Sequence, residues 1–327
     1  MNTLQCKILA GMTALALSGT AMAVPEPVAG GNPGHPSASS GGIPAAVGQT
    51  PADRVSQPGP KLPVVDVATL LSRNLQARGG ESGWKAVNTL HFTGKMDAGR
   101  ARPDPDNGYA SPTADAKERR KSRIQRERDI ESAPVVQLPF ILDVARGRKS
   151  HLELVVNDQV AVQTYDGKQG WKLMPFLGGD YLDHPSPYSA EELKLASDQS
   201  DLDGWLIEAQ RQHYRVEQLA PEMVEGKPAY HLQLTLPGGD QRGVWLDAQS
   251  WLEVKIEGAR RFNGQVKPMY TYLSDYRNVD GLVLPFRQET RMEGFKDGQK
   301  LLVDSVQVNR TLPAEHFGKP VNVATGQ

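Results

Sequence analysis

Apolar and polar side chains alternate with period two in many short runs along most of this chain, each run ending in turn residues. Val160, Val162 and Thr164 alternate with Ala161, Gln163 and Tyr165, the pattern of a strand with one buried face. Asp166-Gly167 and Gly170 then interrupt the run, so Gln159 to Phe176 reads as a hairpin returning through Trp171, Leu173, Met174 and Phe176. Thr89 to Met96, Phe140 to Ala145 and His151 to Val156 are further strands on the N-terminal side. After them come His213 to Leu219, Ala229 to Leu236, Gly243 to Asp247, Leu252 to Glu257, Lys267 to Tyr276, Leu282 to Met292 and Leu301 to Val308. The count is about eleven, and a parallel sheet would need a helix between each pair. The pattern therefore predicts one antiparallel, strongly curved sheet with a wet face and a continuous apolar face.

Helical periodicity is confined to two places. Val64 to Arg78 has Asp66 as an N-cap, a stripe of Val67, Leu70, Leu71 and Leu75, and Gly79-Gly80 as a stop; Trp84 and Val87 suggest one further turn. Ser189 with Glu192 forms a capping box, and Leu202, Trp205, Leu206 and Ala209 follow at helical spacing, which predicts one short helix with a wide apolar face. Between the first two strands lies a basic insertion, Asp97 to Ala133. There Lys117, Arg119, Arg120, Lys121, Arg123, Arg126 and Arg128 are opposed only by Glu118 and Glu127 between Lys117 and Arg128. It reads either as a solvated loop or exposed helix, or as a basic patch for anionic head groups or a partner. No aromatic side chains interleave these charges as a nucleic-acid stacking surface requires.

Composition changes the picture at the start of the chain. Met1 to Ala23 has Lys7, an apolar run from Ile8 to Leu17 and a terminal Ala21-Met22-Ala23, the pattern of a cleaved secretory signal peptide, which places the protein in the periplasm. Residues 24–63 hold nine prolines and seven glycines and read as a disordered linker. The folded domain is expected over 64–317, with a tail at 318–327. The single cysteine, Cys6, precedes the apolar run, so the processed chain is expected to have neither disulfides nor a thiolate metal site. With 37 basic and 38 acidic side chains overall, the charge balance argues against bulk nucleic-acid binding.

Catalytic signatures are absent: there is no G-x-S-x-G elbow, H-E-x-x-H, phosphate loop or G-x-G-x-x-G. Asp201-Leu202-Asp203-Gly204 resembles the middle of a calcium loop, but Gln199 and Gln210 occupy the positions of its outer carboxylates, so a helix-capping role is expected instead. His91, His151 and His231 read as half-exposed sheet residues. Many acids could pair as in a glycosidase, and no pair stands out. No enzyme activity, cofactor or metal is expected. A concave apolar face needs none of these to hold an acyl chain, because a dozen methylenes contribute about 10 kcal/mol before ordering costs.

Three stretches carry a family resemblance: ARGGESGWKAVNTLHFTGKM (Ala77 to Met96), VQTYDGKQGWKLMPF (Val162 to Phe176) and YLSDYRNVDGLVLPFRQE (Tyr272 to Glu289). In order and spacing they resemble the longer members of the outer-membrane lipoprotein-sorting family, relatives of the periplasmic carrier LolA. The resemblance implies an unclosed antiparallel β-barrel with a helical lid over a hydrophobic cavity, and a non-catalytic role in receiving acyl chains of lipids or lipoproteins. Trp171, Met174 and Phe176 at the hairpin, Trp205 and Leu206 on the lid helix, and Tyr272 and Phe286 on late strands are the expected cavity wall. The expected partner is a lipid or acylated lipoprotein cargo, with transient membrane contact and no nucleic acid. An envelope scaffold or accessory subunit of a transport complex, docking through the basic insertion and the Pro-rich segment, is the alternative.

Overall fold

The computed structural model describes residues 59–100, 115–175, 184–197, 199, 201–262, 265–293 and 298–321. The expected signal peptide, most of the linker and Phe176 lie outside the described residues.

Helices α1 (Val67–Ala77) and α2 (Gly80–Ala86) precede strand β1 (Thr89–Arg100), and α3 (Ala116–Ser132) precedes β2 (Val135–Ala145). Strands β3 (Lys149–Val156), β4 (Gln159–Tyr165), β5 (Gly170–Leu173) and β6 (Ser186–Pro187) complete a first meander. After α4 (Ala190–Ser197) and α5 (Trp205–Arg211) come β7 (Arg215–Val224), β8 (Lys227–Thr235), β9 (Gln241–Asp247) and β10 (Glu253–Phe262). The second meander ends with β11 (Gln265–Val279), β12 (Leu282–Met292) and β13 (Gln299–Val308), followed by a 3₁₀ turn, Ala314–Phe317.

All thirteen strands form one sheet in the order β6-β5-β4-β3-β2-β1-β13-β12-β11-β10-β9-β8-β7, left unclosed between β6 and β7. Every neighbouring pair is sequential except β1 and β13, where Leu90 faces Val308 and Met96 faces Leu301. Two antiparallel meanders are thus zipped by one long-range pairing. Tight turns hold the register. Asn157-Asp158, Glu225-Gly226 and Asp280-Gly281 each place both residues at positive φ, the geometry of type I′ hairpins. At the expected Asp166-Gly167 turn, Asp166 Oδ1 accepts the amides of Lys168 and Gln169, each at 2.7 Å.

The count exceeds the expected eleven because runs as short as Ser186–Pro187 pair without an alternating pattern to announce them. The middle of the chain forms two helices rather than one. Ser189 and Glu192 make the capping box, with Ser189 N donating to Glu192 Oε2 at 2.7 Å and Glu192 N to Ser189 Oγ at 3.2 Å. That box starts α4, which is also tied to the sheet by a buried Lys172–Glu192 ion pair at 2.6 Å. Helix α5 begins separately at Gly204. At α1, Asp66 caps as expected, accepting from Thr69 N at 2.9 Å.

One face of the sheet, here called inner, carries two apolar clusters. The larger contains Leu90, Phe92, Leu142, Leu154, Leu284 and Phe286; the second contains Leu232, Leu234, Val244, Leu246 and Ile256. Helix α1 spans both, with Leu75 in the first and Leu70 in the second. Helix α5 does the same through Ile207 on one side and Trp205, Leu206 and Ala209 on the other.

The outer face is less wet than its alternation suggests. The segment after β13 crosses strands β1 to β5 as a strap: Thr89 Oγ1 donates to Arg310 O at 2.7 Å, Thr164 Oγ1 to Gly318 O at 2.7 Å, and Lys319 lies over the Trp171 ring at 4.9 Å. Under it, Asp143 joins His91 Nδ1 (2.7 Å) and His316 Nε2 (2.8 Å), and His316 stacks on His151 with centroids 3.9 Å apart. His91 and His151 are therefore buried, not half-exposed, because the strap covers them. His231 is half-buried and stacks on Trp245 at 4.0 Å.

Candidate functional site

The two inner clusters meet at a seam roofed by α5 and the C-terminal end of α1. Leu202, Trp205, Val244, Ile256, Leu273, Leu284 and Pro285 give it apolar walls, and Arg78, Glu253 and Tyr276 give it one polar end. The space between these walls is about 20 Å³, room for about one water molecule, and is partly open at its mouth. The seam is thus closely packed, with little free space under the roof.

Ion pairs rather than apolar contacts alone fasten that roof. Asp203, just before α5, is nearly inaccessible and receives a two-pronged guanidinium from Arg146, both bonds at 3.0 Å, together with Arg211. Its backbone carbonyl accepts from Arg78 Nη1 at 2.6 Å, and the same guanidinium pairs with Glu253 at 3.3 Å and stacks on Trp84 at 4.4 Å. On α5 itself, Glu208 pairs with Arg148 and accepts from Tyr214 Oη and from the Asp201 amide, each at 3.1 Å. Burial, then the adjacent Arg146 charge, lowers the Arg211 pKa; burial and the Glu208 carboxylate raise that of Tyr214. Burial pushes the Tyr276 hydroxyl well above its ordinary value, so it stays a neutral donor, bonded to Glu253 O at 2.6 Å.

Local chemistry explains why the sequence builds this corner. Gly204 sits at φ 86°, and a Cβ there would lie 2.8 Å from Arg78 Nη1, so only glycine lets the guanidinium reach the Asp203 carbonyl. Gly79 sits at φ 113°, where a Cβ would lie 2.3 Å from Gly281 O. That contact joins the first of the three quoted stretches to the third, and Val283 N donates to Arg78 O at 3.1 Å beside it. The Asp201–Gly204 stretch does not cap α5 through a side chain, contrary to expectation. Its Asp203 carboxylate is spent on the arginines instead. Among the described residues no group of three or more His, Cys, Asp or Glu side chains is placed to hold a metal ion.

The expected wall residues separate. Trp205 and Leu206 lie in the second inner cluster, and Met174 and Phe286 in the first. Trp171 and Tyr272 point the other way. Trp171 pairs opposite Thr164 beneath the strap, and Tyr272 lies under Arg291 at 4.2 Å in an outer cluster with Trp245. The reason is the period-two rule: Lys172 and Leu273, their neighbours, take the inward positions. Sequence reasoning missed Arg78, Arg146 and Glu253 and read Asp203 only as part of a cap; Arg78, Arg146 and Asp203 each precede a glycine, and Arg78 alone lies in a quoted stretch.

Comparison of the whole fold with solved structures finds 31 similar chains, of which three are described. A LolA superfamily protein from Nitrosomonas europaea is 14% identical, covering 78% of this chain and 99% of its own, with a TM-score of 0.47. An outer membrane lipoprotein-sorting protein domain from Vibrio parahaemolyticus is 13% identical, covering 77% and 97%, with a TM-score of 0.45. A DUF1329 family protein from Desulfovibrio piger is 11% identical, covering 77% and 96%, with a TM-score of 0.46. No protein-family model matches the chain, and no curated protein matches it. Among the described residues, no helix is long and apolar enough to cross a membrane.

Proposed function

We propose that this LolA-like chain is a periplasmic carrier or binding protein for lipid or acylated, lipoprotein-type cargo, holding acyl chains on the inner face without catalysis. One observation carries the reading. Two apolar clusters meet at a seam closed by a seven-residue helix that is fastened at its rim by ion pairs. Apolar cover alone would make a permanent core, whereas charged fastenings on a short helix allow a roof that lifts as a unit. An acyl chain replacing α5 would recover the apolar contact that the helix gives up, at about 0.8 kcal/mol per methylene. Two donors of lining residues, Arg78 Nε and Trp205 Nε1, are buried without a partner among the described residues. An ester or amide carbonyl next to the chain would satisfy them.

Native mass spectrometry of the protein purified from its own envelope, followed by organic extraction, tests the proposal. A stoichiometric lipid or acyl peptide is the expected result. The pair Trp205→Asp and Leu206→Asp is expected to abolish that cargo while the sheet retains its far-ultraviolet circular dichroism. A clean unliganded mass with no uptake of added lipid would overturn the reading.

A further inference from the structure

We propose that α3 is a docking element for an anionic lipid bilayer surface. This surface is distinct from the cargo seam and does not depend on the cargo reading.

The helix is 17 residues, about 25 Å long, and lies within the β1–β2 hairpin, where Arg100 pairs with Val135. Strand β1 starts beside α2 and ends at Arg100, so α3 leads back into the sheet at the rim opposite the roofed seam. None of the four apolar clusters includes one of its residues. The fold therefore does not rely on it.

At 100° per residue, Lys117, Lys121, Ile124 and Arg128 fall on one stripe, with Arg120 beside it. All five side chains are exposed, and Ile124, 39% exposed, stands among the cations. Glu118, Glu127 and Asp129 lie about a quarter-turn or more from the stripe's centre, and Glu131 alone among the acids of α3 falls beside it, in the last turn.

Asp115 caps the first turn of α3, accepting the Lys117 and Glu118 amides at 2.8 Å, but beyond it the order of charge runs against what helix stability favours. Cations crowd the first two turns; Glu127, Asp129 and Glu131 come toward the end, and the last turn has no basic residue. Cations at a helix N-terminus oppose the macrodipole. A negatively charged plane along the stripe would neutralise that arrangement.

A bilayer fits better than a protein partner. Protein interfaces draw their affinity from buried aromatic and large apolar anchors, and α3 has no aromatic residue and only Ile124 and Ile130 as large apolar ones. An anionic membrane requires only the charges, each contributing about five-fold in binding constant near the surface.

The test is flotation of the full chain with vesicles of phosphatidylcholine alone or with about one third phosphatidylglycerol, at low salt and at about 0.5 M salt. Flotation with the phosphatidylglycerol vesicles only, lost at high salt, is expected. Replacing Lys117, Arg120, Lys121 and Arg128 together by Gln is expected to weaken binding several hundred-fold. The same variant should leave thermal unfolding and cargo content unchanged, so failure here leaves the cargo reading standing. Preserving the charge, with Lys117→Arg and Lys121→Arg in the otherwise native chain, should retain binding. Equal flotation with phosphatidylcholine alone, no flotation, or binding indifferent to the Gln variant would overturn the proposal. So would charge-dependent retention on polyglutamate without vesicle binding, which would point to an acidic protein instead.

Discussion

Asp203 concentrates the energetics of the roof in one carboxylate. Removing it by Asp203→Ala strands the guanidinium groups of Arg146 and Arg211, which are 30% and 26% exposed at the side chain and so recover part of their hydration. A loss of about 2 kcal/mol is expected, read from the urea midpoint, with amide exchange in α5 accelerating more than exchange in β1. Gly79→Ala acts on the backbone instead. Its Cβ would meet Gly281 O at 2.3 Å and the φ of 113° is poor for alanine, so a cost of about 2–4 kcal/mol is expected in the same denaturation experiment. Neither role is visible in one dimension. Asp203 looked like part of a cap or a degenerate calcium loop, and only the convergence of α1, the β2–β3 turn and α5 gives it three arginines, Arg146 and Arg211 on the carboxylate and Arg78 on the carbonyl.

The strap is the element whose behaviour should follow pH. Burial lowers the His316 pKa, the stacked His151 lowers it further, and the hydrogen bond and charge of Asp143 oppose them without prevailing. His91, Arg310 and Glu153 complete the titratable or charged groups around these rings, and a hydrogen bond from His151 lowers the Glu153 pKa. A histidine with a depressed folded-state pKa binds fewer protons folded than released. Its contribution to strap docking is therefore fully present above the ordinary histidine pKa of about 6.5 and is lost as pH falls toward the lowered value. Amide exchange across Ala314–Phe317, corrected for intrinsic rates, should show weaker protection at about pH 5.5 than at about pH 7.5. His316→Phe should flatten that dependence, and an unchanged slope would remove His316 as its source. The elements themselves were more legible than their company. The capping box at Ser189 and the turns at Asp166-Gly167 and Asp280-Gly281 were readable because each is decided within four residues. The strap was not, because its bonds join residues up to 221 positions apart.

For the molecule as a whole, the two meanders leave open edges at β6 and β7. Strand β7 is the longer hazard, at ten residues, and it exposes Leu219 and Met223. Its pairing with β8 shifts register between Leu219 and Glu222, and Pro221 lies inside that irregularity with no amide to donate. Pro221→Val is expected to increase self-association, seen as a concentration-dependent rise in sedimentation coefficient. An unchanged sedimentation coefficient would mean that the register shift alone protects the edge.

Alternation and local turn chemistry determined the sheet class, the antiparallel order within each meander and the starts of α1 and α4, because strand periodicity, type I′ turns and side-chain caps are short-range properties of the chain. Tertiary structure decided the rest. It paired β1 with β13, turned Trp171 and Tyr272 outward while Met174 and Phe286 faced inward, buried His91 and His151, and gathered Arg78, Arg146, Asp203 and Glu253 over the seam. Those outcomes depend on which distant surfaces meet, and a one-residue choice of strand register reverses every side chain.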